Sequence, residues 1–541
     1  MKKKLTFITV LGAILFSLTA CQLFNQNNTP GYSYRPYGST SKQVTPEGDL
    51  EAISPDCTYG DYIKNNVYHI SSTPSLGKAK LLVVPVWFND STSFIRNDHK
   101  DDVREDISLT YFGKNTDTGW RSVKSYYEEE SQGKLKIDGT VSNWYNINES
   151  YQNYRTDGDH NKTNSLVKSA VEWYFTTDNP SDNRTDYDCD KDGYLDGVVL
   201  IYAAPDHTSY GNGNSNLWAY CFWLQNVGAK SVAKPGANVY FWASYDFMYS
   251  KSKAISRTGH NYGRGDTSNG VNVDAHTYIH ETGHMFGLED YYDYSSLQYM
   301  PAAAFSMQDQ NVGGHDPFSS FALGWGKAYI PTNSANIILK PFVSSGEMIV
   351  LSPNWNEYNS PFDEYLILEY YTTDGLNYFD TSHPYMNVYS TGSSERGIRL
   401  WHVDARLLYI PNSSTPFSAS RITTDPKISG NKVTHMLSNS YNDGVINAEH
   451  LSPLATRDPG EDRYSNYKLL ELIRNSTVMT GRTKESLRNS DLFKAGDSFS
   501  MSKYTRQFVN NAKLNNGSAL GFTFQVNELN DGYASISVTK S

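Results

Sequence analysis

The pentapeptide His280-Glu281-Thr282-Gly283-His284 restricts the folding of this chain more than any other segment. Side chains four positions apart lie on one face of an α-helix, so the two histidines can bind one ion if the segment is helical. Zinc is commonly held by such a pair, and Glu281 beside it can take a proton from a zinc-bound water. The sequence therefore predicts a helix that carries two metal ligands, His280 and His284, and a general base, Glu281.

The residues after this helix provide a candidate third ligand. Gly287 stands three positions after His284 and permits a sharp turn, and Asp290 stands six positions after it. This is the metzincin spacing, with Asp in place of the commoner third His. No Glu lies between residues 290 and 346, which disfavours a Glu ligand from a later helix. We predict that Asp290 is the third zinc ligand, with Asp293 as the alternative.

Two residues near this motif are assigned supporting roles. Met307, in Ser306-Met307-Gln308, is the candidate for the methionine turn that lies beneath the metal in metzincins, and ordinary core packing is the alternative. His276 lies one turn before His280 on the same helix face. Four protein ligands would close a catalytic zinc site, so we expect His276 to be buried near the metal without binding it.

The N-terminus has the pattern of an export signal. Lys2-Lys3-Lys4 precedes the apolar stretch from Leu5 to Leu18, which is too short to span a bilayer. The small residues before Cys21 resemble the bacterial lipoprotein signal, in which the cysteine is lipidated, with a plain secretory signal as the alternative. We expect residues 1–20 to be a signal peptide and Cys21 to carry palmitate. The protein would then be anchored on the extracytoplasmic face of the bacterial membrane or released from it.

The 541 residues exceed what one hydrophobic core usually supports. Residues 21–55 are rich in Asn, Ser, Thr, Pro and Gly and are predicted to form a flexible tether. Apolar runs at residues 80–88 and 197–202 alternate with helices predicted at residues 122–132 and 164–175, which predicts an α/β (α+β) catalytic domain over residues 56–330. Short alternating runs from residue 331 to 541 predict an all-β, sandwich-like C-terminal region.

A second acidic cluster precedes the apolar run at residues 197–202. Carboxylates at alternate positions before Gly193 can converge on one hard cation. Val199 stands where an EF-hand requires an acid, so the segment is not an EF-hand. The candidate calcium ligands are Asp188, Asp190, Asp192 and Asp196. A solvated acidic turn is the alternative.

The net charge bears on nucleic-acid binding, and the cysteine content bears on disulfide formation. A formal net charge of -11 argues against a nucleic-acid partner, which requires a basic surface. Lipidation of Cys21 leaves Cys57, Cys189 and Cys221, which allow either one disulfide or none. The sequence does not define an oligomeric state.

The stretch from His280 to Asp293 resembles a motif of the immune inhibitor A family of bacterial secreted metallopeptidases, His-Glu-x-Gly-His-x-x-Gly-Leu-x-Asp-x-Tyr-Asp. Glu289 is a departure, because the family usually has Pro at this position. Other segments similar to the family are 125–127, 131–135, 307–325, 364–369 and 397–404. The resemblance covers most of residues 80–410 and implies a metzincin-like zinc peptidase.

The residues and the resemblance together lead to one preferred function. We expect a zinc endopeptidase that hydrolyses proteins or peptides through a zinc-activated water, with Glu281 as the base. A catalytically silent surface protein that binds a glycan or a protein is the alternative, and a different metal hydrolase is a third reading. The presence of Glu281 together with all three candidate ligands favours the active enzyme, since decayed enzymes usually lose the base.

Overall fold

The computed structural model describes the following parts of the chain: residues 46–64, 71–156, 160–208, 216–224, 228–292, 301–387, 391–410, 422–428, 433–436, 468–476, 486–508 and 510–541. The predicted signal peptide, Cys21, most of the predicted tether and Asp293 lie outside these residues. No helix within the described ranges is long and apolar enough to cross a membrane.

The helices are short and lie mostly in the first two thirds of the chain. In order they are α1 (Tyr59–Lys64), α2 (Lys100–Phe112), α3 (Asn115–Thr118), α4 (Val123–Glu130), α5 (Asn161–Trp173), α6 (Lys251–Thr258), α7 (His276–Met285), α8 (Met307–Gln310), α9 (Pro317–Ala322), α10 (Phe342–Ser345) and α11 (Asn377–Ser382). Helix α4 begins where Ser122 accepts a hydrogen bond from the Ser125 N–H, and the Ser125 hydroxyl accepts one from the Ser122 N–H. This reciprocal cap satisfies two backbone donors at the start of the helix.

One six-stranded sheet forms the frame of the N-terminal region. Its strands are β1 (Gly77–Trp87), β2 (Leu135–Val141), β3 (Tyr145–Asn146), β4 (Val198–Tyr202), β5 (Tyr220–Trp223) and β6 (Val239–Ser244). Strand β1 pairs in parallel with β2, β3 and β4, and β4 pairs in parallel with β6. Strand β5 is antiparallel to β6 at the edge. Residues 81–87 of β1 are all buried, as expected for a central strand covered on both faces.

The described part of the C-terminal region contains three sheets. Its strands are β7 (Lys327–Tyr329), β8 (Ala335–Leu339), β9 (Glu347–Leu351), β10 (Glu364–Tyr371), β11 (Gly397–Asp404), β12 (Leu407–Ile410), β13 (Ile422–Thr423), β14 (Val433–Met436), β15 (Leu470–Ile473), β16 (Ser498–Phe499), β17 (Phe522–Leu529) and β18 (Ala534–Lys540). They form a five-stranded sheet (β15-β11-β10-β9-β7), a four-stranded sheet (β16-β17-β18-β8) and a three-stranded sheet (β13-β12-β14).

The five-stranded sheet packs against both halves of the molecule. Along β10, Leu366 and Leu368 belong to a hydrophobic cluster shared with Phe524 and Ile536 of the four-stranded sheet. Their neighbour Ile367 belongs instead to the large cluster that contains the six-stranded sheet. Successive side chains of a strand point to opposite faces, so one strand contributes to two cores. The C-terminal region is therefore packed directly against the region that carries the His-Glu-x-x-His motif.

The predicted elements are confirmed where the sequence pattern was strongest. The apolar runs at residues 80–88 and 197–202 form β1 and β4, and the predicted helices at 122–132 and 164–175 form α4 and α5. The mixed α/β character and the β-rich C-terminal region are both present. The three cysteines that the structure describes, Cys57, Cys189 and Cys221, are all free thiols, so of the two possibilities left open the structure has no disulfide among them.

Candidate metal centre

The His-Glu-x-x-His motif lies on α7, as its spacing predicts. The helix ends where the Gly287 N–H donates to His284 O at 2.8 Å and the chain reverses. Gly287 has φ +103°, and a Cβ there would lie 2.4 Å from Ile63 Cδ1. Only glycine fits this turn without strain, because the backbone conformation and the packed neighbour both exclude a side chain.

The turn brings Asp290 back to the two histidines. Asp290 Oδ1 lies 2.9 Å from His280 Nε2 and 3.3 Å from His284 Nε2, and the two Nε2 atoms are 3.1 Å apart. Tetrahedral zinc with ligands at 2.0–2.1 Å would set its donor atoms about 3.3 Å apart. The three predicted ligands are therefore spaced to surround one ion of this size, and they form one of two such groups among the described residues.

Backbone carbonyls orient both imidazole rings. His280 Nδ1 lies 2.7 Å from Met307 O, and His284 Nδ1 lies 2.8 Å from Leu288 O. A carbonyl can only accept, so each Nδ1 carries a proton, and in the neutral ring each Nε2 then has a lone pair available for a metal. In that state the two Nε2 atoms and the Asp290 carboxylate offer three donor atoms to one cation. Hydrogen bonds of this kind hold metal-binding histidines in the ligating tautomer, and the residues present therefore fit zinc.

Asp290 is positioned by the residue that follows it. The Tyr291 N–H donates to Gln308 O at 2.9 Å, and the Tyr291 hydroxyl lies 2.7 Å from Ser319 Oγ. Gln308 also packs against α7, where a Cβ on Gly283 would lie 2.3 Å from Gln308 Oε1. The segment around Met307 thus contacts both the helix and the loop that carry the ligands.

Glu281 lies beside the three candidate ligands on the same helix. Its Oε2 atom is buried and has no hydrogen-bond partner among the described residues, whereas the backbone N–H of Cys221 on β5 bonds to the carboxyl group. Burial raises the pKa of Glu281, and the nearby His284 and His280 oppose this rise. A carboxylate with a free oxygen and a raised pKa is a better proton acceptor than an ordinary Glu.

The ligands themselves influence one another strongly. Burial opposes the charged form of Asp290, but His284 and His280 outweigh it and hold the pKa of this carboxyl well below its usual range. Burial likewise opposes the charged form of His284, yet Asp290 raises its pKa to about 10. The site therefore keeps a negative carboxylate at its centre.

The supporting residues are placed as follows. Met307 is fully buried, and its backbone carbonyl is the acceptor for His280 Nδ1. The sequence did not predict the roles of this carbonyl and of the Leu288 carbonyl, because every residue has a backbone carbonyl and residue type does not show which one accepts a hydrogen bond. His276 is buried at the start of α7 and lies outside the cluster of metal-ligating atoms.

The acidic loop gathers three of its four predicted ligands. Carboxylate oxygens of Asp188, Asp190 and Asp196 lie within 4.8 Å of one another. Asp192 is not among them, since its Oδ2 accepts a hydrogen bond from Ser71 Oγ at 2.5 Å and its Oδ1 accepts one from the Tyr194 N–H. The prediction that Asp192 joins the cluster thus differs from the geometry, because the distant Ser71 hydroxyl and the local Tyr194 N–H orient its carboxylate elsewhere.

Comparison with known proteins agrees with this geometry. The family model for the immune inhibitor A peptidase M6 catalytic domain matches residues 80–308, which span β1 to α8. Immune inhibitor A of Bacillus thuringiensis subsp. alesti is 28% identical over 197 residues, which are 32% of this chain and 26% of that protein.

A second relative carries the name of a metalloprotease. The pre-pro-metalloprotease PrtV of Vibrio cholerae serotype O1 (strain M66-2) is 26% identical over 235 residues, which are 37% of this chain and 23% of that protein. The chain spans about a quarter of the length of these curated relatives. The matched segment contains His280, Glu281, His284 and Asp290. Residues 80–308 therefore match the peptidase M6 catalytic domain, and over this segment the chain is similar to the immune inhibitor A family.

Proposed function

We propose that this protein is a zinc-dependent endopeptidase that cleaves protein or peptide substrates outside the cell. The observation that carries the proposal is the convergence of His280 Nε2, His284 Nε2 and Asp290 Oδ1 within 3.3 Å beside the buried carboxyl group of Glu281. Zinc, when bound by these residues, supplies a Lewis acid that lowers the pKa of water and polarises a carbonyl oxygen. The metzincin-like assignment rests on the Gly287 turn, Asp290 and the Met307 segment beneath the histidines.

The chain's own residues would perform the proton transfers. Glu281 Oε2 accepts the proton of the attacking water, since this oxygen has no hydrogen-bond partner among the described residues. Glu281 then donates the proton to the leaving amine. The backbone N–H of Cys221 favours the ionised form of the Glu281 carboxyl group and lowers its pKa. Strand β5 is an edge strand, so an extended substrate can lie beside it and Glu281.

The test compares Glu281→Gln with the wild-type protein in cleavage of casein and in zinc content. Loss of the proton acceptor should lower kcat by at least about 1000-fold while zinc stays bound, since the three ligands are untouched. Glu128→Gln, which changes an exposed Glu on α4, is the matched control and should retain full activity. Equal activity of wild type and Glu281→Gln would overturn the mechanism. Zinc binding without cleavage by the wild type would instead favour the silent binding protein.

We also propose that the loop at residues 188–196 binds calcium through Asp188, Asp190 and Asp196. Asp188 is 4% exposed, and its Oδ1 atom has no hydrogen-bond partner among the described residues. Burial raises the pKa of Asp188 and of Asp190, and the neighbouring Asp192 raises both further. A calcium ion would remove this repulsion. Asp192 is assigned to the loop's own hydrogen bonds, in contrast to the sequence prediction.

Membrane anchoring remains a proposal that rests on the sequence. Cys21 follows a short apolar segment and small residues, which is typical of a lipidated bacterial N-terminus. Cys21→Ser should abolish incorporation of labelled palmitate and shift the protein from the membrane fraction to the medium. Retention of the label in this variant would contradict the assignment. The sandwich-like description of the C-terminal region is proposed on the core shared by its four- and five-stranded sheets.

A further inference from the structure

A segment of the C-terminal region reaches the start of the catalytic helix. This segment contains α11 (Asn377–Ser382) and a helical turn at Tyr385–Asn387, and it connects β10 to β11 of the five-stranded sheet. It lies beyond residue 308, where the match to the peptidase catalytic domain ends. Asp380 on α11 is 1% exposed and is the residue through which this segment contacts two parts of the metal centre.

The first contact lies just beyond α8. Asp380 Oδ2 accepts a hydrogen bond from the Gly313 N–H at 2.7 Å, and Asn377 Oδ1 accepts one from the Gly314 N–H at 3.1 Å. Gly314 O in turn accepts a hydrogen bond from the Met307 N–H at 3.2 Å. Met307 O is the acceptor that orients His280. One side of Asp380 is therefore connected through two hydrogen-bonded glycines to a metal ligand.

The second contact lies at the first residue of α7. Asp380 Oδ1 is 3.4 Å from His276 Nε2, and Asp274 Oδ1 is 2.7 Å from His276 Nδ1. The His276 ring is stacked on Trp120 at 3.8 Å with an interplanar angle of 4°, and Tyr385 covers the opposite face at 4.2 Å. The Tyr385 hydroxyl also donates to Asp274 Oδ2 at 3.0 Å. His276 is thus fixed from every side, one helical turn before His280.

The charged states of His276, Asp274 and Asp380 depend on one another. Burial opposes a charged His276, but Asp274 and Asp380 outweigh it and raise its pKa to about 9. A cation at a helix N-terminus is disfavoured by the helix dipole, so the imidazolium needs both carboxylates. A buried carboxylate without partners costs several kcal/mol, so Asp380 equally needs His276 and the Gly313 N–H. The Asp380 side chain therefore bridges the start of α7 and the loop after α8.

We propose that Asp380 is a positioning residue of the metal centre and that it sets the distance between the helix carrying the ligands and the carbonyl of Met307. The inference rests on the proposed peptidase function. It extends that function by assigning part of the active site to the region after the matched catalytic domain. Asp380 touches neither metal nor substrate. Its effect reaches them through His276 and through the Gly313–Gly314 backbone.

The experiment uses the full-length protein and the variants Asp380→Asn and Asp374→Asn. Asp374→Asn is the matched control, since this Asp lies in the same segment and its charge acts on Tyr370 of β10, whose pKa it raises, rather than on His276. Asp380→Asn should lower kcat by about 10- to 100-fold with little change in KM, because displaced ligands affect the reaction more than substrate binding. The visible absorption bands of the Co²⁺-substituted protein should also change, since they report ligand geometry.

His276→Gln tests the same connection from the other end and serves if Asp380→Asn fails to fold. Like Asp380→Asn, it should change the Co²⁺ bands and lower kcat. In the double variant Asp380→Asn/His276→Gln, the decrease in kcat should be smaller than the product of the two single decreases. Unchanged kcat and Co²⁺ bands in either folded variant would overturn the proposal. The proposal would also be overturned if the variants had the wild-type rate per bound zinc ion, since the loss would then reflect zinc content alone. If the wild type cleaves nothing, the proposed function fails, and the Co²⁺ bands still test the positioning role.

Discussion

The two candidate metal sites are built in opposite ways. The histidine site takes His280 and His284 from α7 and Asp290 from the turn after it, and backbone carbonyls of Met307 and Leu288 orient the rings. The acidic loop holds all its candidate ligands within residues 188–196. Backbone N–H groups of the same loop donate hydrogen bonds to the carboxylates of Asp188, Asp190 and Asp196. The first site depends on the packing of distant segments, whereas the second depends mainly on one local turn, with one further hydrogen bond from the Lys80 N–H of β1 to Asp196. Changes far from the ligands should therefore damage the first site alone.

The largest loss of zinc affinity is expected for Asp290, the candidate ligand that lies outside α7. Asp290→Ala removes the only carboxylate of the histidine cluster and should lower zinc affinity by at least about 100-fold, with loss of activity. Dialysis against a zinc buffer followed by metal analysis measures it. Asp188→Ala, the equivalent change in the acidic loop, should leave zinc content unchanged. Equal zinc loss in both variants would mean that the sites are not independent.

The pH dependence of stability should follow His276. Its pKa rises from 6.5 to about 9 on folding, because Asp274 and Asp380 outweigh the opposing effect of burial. A group with a raised pKa in the folded state stabilises fully below its unfolded pKa, and this stabilisation, about 3 kcal/mol, is lost as pH rises from about 6.5 to 9. Besides Asp274 and Asp380, the titratable group that faces His276 is Tyr385, whose hydroxyl donates a hydrogen bond to Asp274.

Denaturant unfolding between pH 6 and about 9.5 measures this loss. Asp380→Asn removes one of the two carboxylates and should flatten the curve relative to the wild type, whereas Asp374→Asn should reproduce the wild-type curve. An unchanged slope in Asp380→Asn would show that His276 does not titrate in this range.

Gly287→Ala should destabilise the turn that brings Asp290 to the histidines. The substitution meets a positive φ and places a Cβ 2.4 Å from Ile63 Cδ1, which together should cost about 2–3 kcal/mol. Gly133→Ala is the matched control, because Gly133 has φ +75° with no atom within 4 Å of the added Cβ. It should cost about 1 kcal/mol. Thermal unfolding of the zinc-free proteins compares them, and equal losses would show that the contact with Ile63 is unimportant.

The smallest effect is expected in the acidic loop. Asp188→Asn should abolish the rise in thermal midpoint that added calcium gives the wild type, a rise of about 5 °C, because ligand binding stabilises only the folded state. Asp192→Asn should retain most of the rise, since the Asp192 carboxylate accepts hydrogen bonds from Ser71 and the Tyr194 N–H. Asp186→Asn, at an exposed position, is the control. If Asp192→Asn behaves as Asp188→Asn does, the four-ligand prediction from sequence is the better one.

The sequence predicted the parts of the fold that local physics controls. The continuous apolar runs of β1 and β4 and the amphipathic pattern of α5 were sufficient to locate these elements within a few residues. The face-sharing of His280 and His284 followed from helix geometry alone. Asp192 lies outside the cluster of the other three carboxylates, and alternation in sequence does not reveal that Ser71, far away in the chain, donates a hydrogen bond to its carboxylate.

Sequence alone determined which side chains can bind the metal, because residue type and spacing dictate lone pairs and helix faces. It also predicted a turn at Gly287, and the tertiary structure showed why only glycine fits there. Only the tertiary structure decided how those ligands are held, since the Met307 carbonyl, the Leu288 carbonyl and Asp380 come from segments whose residue types carry no distinguishing pattern. Backbone acceptors and long-range ion pairs depend on how the chain packs, and β10 brings the C-terminal region against the catalytic core through alternate side chains of one strand.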